Sequence, residues 1–141
     1  MHQQSTSHLF MIEPVEFYAN EQTAYTNHYQ KAVSDEAADK IAEKALTEFH
    51  DLKNAIEKRG IKVTTLLGSK DCPDHIFPNW FITFDDKTMQ IFSMMAPNRR
   101  EEKKPHMIQH LSETYELTDD MTDLEDKEIF LESTSSMVFD R

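Results

Sequence analysis

Apolar positions along this chain keep two different periods, and the change of period marks its elements. Ala38, Ile41, Ala42, Ala45, Leu46, Phe49, Leu52 and Ile56 recur at helical spacing and predict a helix from Asp35 to Arg59. Ser34 suits its cap, Asp35 and Glu36 suit the positive end of its dipole, and Gly60 suits its exit. Ile61 to Leu67 then alternates as a strand, and Leu9 to Ile12 reads as a shorter one. Two apolar runs, Ile76 to Phe84 and Met89 to Met95, flank Asp85-Asp86-Lys87 and predict a hairpin with a loop longer than two residues. Asn98 suits the cap of a following helix, with Glu101 completing a capping box. That helical stretch, Arg99 to Glu116, is broken by Pro105, which fits the first turn of a new helix. Glu21 to Lys31 stays open between helix and loop. Asp119 to Glu128 reads as an acidic loop, and LESTSSMVFDR near the end reads as a strand. A helix followed by a strand and a hairpin predicts a mixed α/β fold. The long helix should pack through Ile41, Leu46, Phe49 and Leu52 on one small sheet holding Ile61 to Leu67 and both hairpin strands.

Composition narrows the class. The 141 residues fit one domain over 9–141, after a polar tail over 1–8. A net charge of −11, spread along the whole chain, repels polyphosphate and anionic lipid, so nucleic-acid and membrane partners are not expected. The same field suits a cationic ligand, although a solvated acidic surface is the commoner reason for it. No apolar run approaches the ~20 residues of a membrane span. The start, MHQQSTSHLFMIEP, has no basic segment ahead of its short apolar run, so a secretory signal is not expected. One cysteine, Cys72, excludes an internal disulfide and fits a reducing, cytoplasmic setting. There are only 2 glycines, so tight turns fall to Asp, Asn, Ser and Pro.

Four segments carry a more specific pattern: NEQTAYTNHYQ from Asn20, IFPNW from Ile76, SMMAPNRR from Ser93 and LESTSSMVFDR from Leu131. In this order they resemble boxes of the amidinotransferase and arginine-deiminase-related hydrolases, the citrulline- or dimethylarginine-hydrolase-like enzymes of guanidino and ureido compounds. The resemblance implies a pentein-like α/β propeller of ββαβ-type modules around a central pocket. This chain would supply roughly two such modules, with small mixed sheets, as the amino-terminal half of a longer protein. It also implies that Glu132 is the guanidinium-binding glutamate, with Asn79 as a second substrate-binding candidate; from the residues alone, Glu132 reads as a solvated strand-end residue and Asn79, after Pro78, as a turn residue. Departures accompany the matches. IFPNW has one Asn where the family box has two, so Trp80 or a deletion falls where related deiminases place a carboxylate. Ser133 and Ser135 stand where the family has glycines, and Glu13 where it commonly has Arg.

Family chemistry sets what such a site needs. A thiolate attacks the planar guanidinium or ureido carbon, a His moves protons, and carboxylates hold the N–H fork. The family's His and Cys lie in its carboxy-terminal half, so no catalytic residue is expected here and the chain should be inactive alone. Cys72, beside Asp74 and His75, reads as a loop or half-buried thiol, because a neighbouring carboxylate opposes thiolate formation. His106 and His110 have a chelating spacing but lack the Glu and third ligand of a hydrolytic zinc motif, so neither metal nor cofactor is expected. The methionines read as core filler. Arg99 and Arg100 either bind a substrate carboxylate or pair with Glu101 and Glu102 on the helix surface. Two functional classes follow: part of a guanidino/ureido hydrolase, or a non-catalytic binding or assembly module derived from one. Expected partners are a guanidino or ureido small molecule and a second copy or complementary chain, meeting the hairpin and LESTSSMVFDR.

Overall fold

The computed structural model describes residues 6–27 and 38–138. The proposed helix start at Ser34 to Glu36, most of the 1–8 tail, the end of the NEQTAYTNHYQ box and the last residues of LESTSSMVFDR lie outside them. The chain divides into two compact units, one reaching Phe77 and the other beginning at Pro78.

The first unit is built on two parallel strands, β1 (His8–Glu13) and β2 (Lys62–Leu67), paired in register from His8 opposite Lys62 to Glu13 opposite Leu67. Parallel neighbours need a long crossover. Here it carries the single turn α1 (Glu21–Ala24) and the helix α2 (Ala38–Glu57). Asn20 caps α1 by accepting from the Gln22 N–H at 3.1 Å, so the described part of the Glu21 to Lys31 segment starts as one short helical turn, residues 28–31 lying outside the described ones. The exit of α2 falls at Gly60, whose φ of +81° an L side chain adopts only with strain. Phe49 is buried on the apolar face of α2 and Ile41 and Leu46 are half-buried, whereas Leu52 stays 55% exposed. The second glycine, Gly68, has a different purpose. Its N–H donates to the Glu13 carbonyl at 2.8 Å, and a Cβ there would lie 2.7 Å from that oxygen.

The second unit runs β-β-α-β. β3 (Phe81–Thr83) and β4 (Thr88–Ile91) are antiparallel, and β4 pairs in parallel with β5 (Glu116–Asp120), giving the order β3-β4-β5. The crossover from β4 to β5 carries α3 (Pro97–Arg100) and α4 (Pro105–Ser112). The hairpin turn is held by Asp86, whose Oδ1 accepts from the Thr88 N–H at 3.0 Å and the Thr88 hydroxyl at 2.7 Å. Lys87 takes the left-handed position at φ +69°, a place glycine usually fills. Trp80, Phe92, Met89, Ile91, Met94, Met107 and Leu111 are buried here to 1% exposure or less, so Met89, Met94 and Met107 are core residues as expected, whereas Met95 is 40% exposed.

Several expectations give way. The sheet is not one but two, since β2 pairs only with β1. The first hairpin strand starts at Phe81 rather than Ile76, because the stretch before it, with Pro73 and Pro78, runs as turns. Asn98 does not cap α3. Pro97 takes the first helical position, where its missing N–H costs nothing, and this moves the cap to Ala96. The helix after Pro105 ends at Ser112, and Glu116–Asp120 is a strand although every one of its residues is exposed. The acidic loop beyond it is a 3-10 helix over Thr122–Lys127. Within LESTSSMVFDR, Ser133–Ser136 forms one helical turn, α5, in place of a strand. The hairpin's apolar side chains, expected as a contact surface, are largely core. Among the described residues no helix is long and apolar enough to cross a membrane.

Candidate functional site

The short α5 turn and the loop before β3 meet in the second unit. Thr134 Oγ1 donates to Asn79 Oδ1 at 2.8 Å, and Ser133, fully buried, donates to the Phe81 carbonyl at 3.3 Å. These bonds bring the IFPNW and LESTSS segments together, joining Asn79 to the helical turn that follows Glu132. The two serines standing in glycine positions are thereby accounted for. Neither has a positive φ, Ser133 spends its hydroxyl on β3, and Ser135 donates to the Glu132 carbonyl at 2.9 Å. Trp80, next to Asn79, is wholly buried with its ring 4.5 Å from that of Phe81, so this position is filled by core where a carboxylate or second amide was considered.

Glu132 is 20% exposed at its side chain, not freely solvated. Its Oε1 accepts from the Met95 N–H at 3.1 Å, and its Oε2 lies 3.4 Å from the Ser135 hydroxyl and 4.0 Å from Arg99 Nη1. Arg99 itself is clasped by Glu102. Its Nε donates to Glu102 Oε1 at 3.0 Å and its Nη2 to Oε2 at 3.3 Å. Glu102 is fully buried and Arg99 is 6% exposed. A bidentate pair of this kind is the geometry a guanidinium prefers. Arg99 therefore forms a buried ion pair rather than the helix-surface pair expected. Arg100 does not reach Glu101 either. It donates to the carbonyls of Met94 at 2.9 Å and Met95 at 3.1 Å, with its guanidinium over the Phe130 ring.

A second ion pair stands behind the first. Glu125 accepts from the Met94 N–H at 2.7 Å and pairs closely with Lys103, both side chains being under one-tenth exposed. Met94 and Met95 are thus held by Glu125, Arg100 and Glu132. Sequence reasoning missed this arrangement. The spacing of Arg99 and Glu102 signalled a pair, but nothing local linked either to Glu132 or Thr134.

Cys72 is 1% exposed in the first unit, more buried than expected. Near it, the Tyr18 phenol pKa is raised, first by desolvation and then by the charge of Glu16 and Asp71. Asp74 accepts from Asn20 Nδ2 at 2.8 Å and from the Thr23 hydroxyl at 3.0 Å, tying α1 to the loop after β2. His75 is buried, its Nδ1 facing the Ser69 N–H at 3.2 Å. His106 and His110 are exposed, and His110 lies 3.6 Å from Glu113. Among the described residues no group of three His, Cys, Asp or Glu side chains is arranged to hold a metal.

A family model for eukaryotic N,N dimethylarginine dimethylhydrolases matches residues 13–141. Neither the curated proteins nor the solved structures give a match. The family match agrees with the resemblance carried by the four sequence boxes and covers both units, from Glu13 to Arg141. This chain belongs to the eukaryotic N,N dimethylarginine dimethylhydrolase family.

Proposed function

We propose that this chain recognises the guanidinium of a methylated arginine or a related guanidino or ureido compound through Glu132, with Asn79 beside it as a second polar contact. One observation supports this above others. The Thr134–Asn79 hydrogen bond brings together two segments, far apart in sequence, that each hold one expected substrate-binding residue. Glu132 retains acceptor capacity, since a carboxylate offers about four lone-pair sites and the Met95 N–H uses one at normal distance. The acidic surface adds long-range attraction for a cation. The β-α-β order of the first unit and the β-β-α-β order of the second support reading residues 9–141 as two modules of an α/β propeller.

In this polypeptide the role is recognition without turnover. Hydrolysis in this family type needs an accessible thiolate, and the one thiol present, Cys72, is 1% exposed. Purified chain incubated with NG,NG-dimethylarginine should release neither amine nor ureido product, and Cys72→Ser should behave identically. Release abolished by Cys72→Ser would make Cys72 the nucleophile and overturn this reading.

An assembly role is the second reading, favoured by one feature of the first unit. A cavity of about 280 Å³ lies between β1, α2 and the turn before Pro78, rimmed by the exposed apolar side chains of Leu52 and Phe77. Self-association through this face would appear as a concentration-dependent sedimentation coefficient that Leu52→Glu suppresses.

A further inference from the structure

The carboxylate proposed to receive a ligand's guanidinium already has one of the chain's own close by. Arg99 Nη1 stands 4.0 Å from Glu132 Oε2, beyond hydrogen-bond reach but within ion-pair range. An Arg that closed this gap would fill the acceptor sites a ligand needs. What restrains it is visible. Glu102 takes Arg99 at both Nε and Nη2, at 3.0 and 3.3 Å, and so fixes the plane of the fork. The second guanidinium is also restrained, since Arg100 is spent on the Met94 and Met95 carbonyls and the Phe130 ring. Glu102 is sealed from solvent, whereas the Glu132 side chain is 20% exposed.

We propose that Glu102 is a positioning residue for guanidinium recognition: its bidentate clasp holds Arg99 back from Glu132 and keeps that carboxylate open to ligand. The proposal rests on the reading of Glu132 above. Neutralising Glu102 halves the charge competition for Arg99 and weakens its clasp, because an amide has one acceptor oxygen where a carboxylate has two. Arg99 then turns to the remaining carboxylate, Glu132, and blocks it. Removing Arg99 together with Glu102 removes the blocking group, and apolar replacement of a buried ion pair is often tolerated.

Calorimetric titration with methylguanidine tests this on wild type, Glu102→Gln, Glu132→Gln and the double variant Arg99→Met/Glu102→Leu. Glu102→Gln should bind about tenfold more weakly, the scale of one charge-assisted hydrogen bond. The double variant should recover binding to within about twofold of wild type, and Glu102→Gln should lose affinity under conditions where its amide spectrum shows it fully folded, which a purely structural role for Glu102 does not give. Unchanged affinity in Glu102→Gln, or no recovery in the double variant, overturns the proposal. Should Glu102→Gln fail to fold, the double variant decides alone: wild-type affinity supports the proposal and lost affinity overturns it. Equal binding by wild type and Glu132→Gln, or no binding by wild type, overturns the Glu132 reading and this proposal with it. Loss in Glu132→Gln beside unchanged Glu102→Gln overturns this proposal alone.

Discussion

Asn79 accepts a hydrogen bond of 2.8 Å from Thr134, joining the loop before the hairpin to the helical turn that follows Glu132. The bond is exposed, so its worth lies in registering two segments more than in stability. Asn79→Ala and Thr134→Val should each weaken binding of NG,NG-dimethylarginine by less than Glu132→Gln does. A double-mutant cycle on the binding free energy should give a coupling of about 1 kcal/mol. Strict additivity would mean that the two segments act independently.

Lys103 and Glu125 form a buried pair whose carboxylate also holds the Met94 N–H. Removing one member leaves the other charge buried without its counter-ion. Lys103→Met should therefore lower stability by about 3 kcal/mol in urea denaturation, far more than Lys127→Met in the exposed pair with Asp123.

Gly68 lies where β1 and β2 end, and its missing Cβ is what lets the chain pass the Glu13 carbonyl. That neighbour is backbone, which cannot swing aside. Gly68→Ala should cost about 2 kcal/mol by thermal or urea unfolding. Gly60→Ala meets open space and suffers only the strain of its positive φ, about 1 kcal/mol.

The hairpin turn should respond to acid. Asp86 is held below the ordinary carboxylate range, first by the Thr88 hydroxyl and then by the Thr88 N–H. A carboxylate with a depressed folded pKa stabilises the fold above its unfolded value, about 3.9, and loses that contribution as pH falls through the folded value. The Thr88 amide resonance should stay constant above about pH 5 and shift progressively below about pH 4. Asp86→Asn should abolish that titration.

How much of this was legible in the sequence depended on whether a signal was local. The α2 helix, its Gly60 exit, the polar hairpin turn and the restart at Pro105 all follow from spacing or from a residue's own backbone limits. β5 was not legible, because ELTDD has no alternation and no buried side chain. It is a strand only through its pairing with β4. Asn98 has cap chemistry but not the cap position, because the fixed φ of Pro97 governs the helix start. Glu132 and Asn79 were named from the sequence boxes, but their junction through Thr134 and the Arg99–Glu102 clasp are tertiary facts with no local trace.

The claim that matters most is that Glu132 receives a guanidinium. The Met95 N–H, bonded to Glu132 Oε1, is a reporter beside it. Titrating NG,NG-dimethylarginine into isotope-labelled protein should move the Met95 amide resonance along a saturable curve, and Glu132→Gln should flatten that curve. A Met95 resonance that stays still in wild type at saturating ligand, or moves equally in Glu132→Gln, would contradict the account.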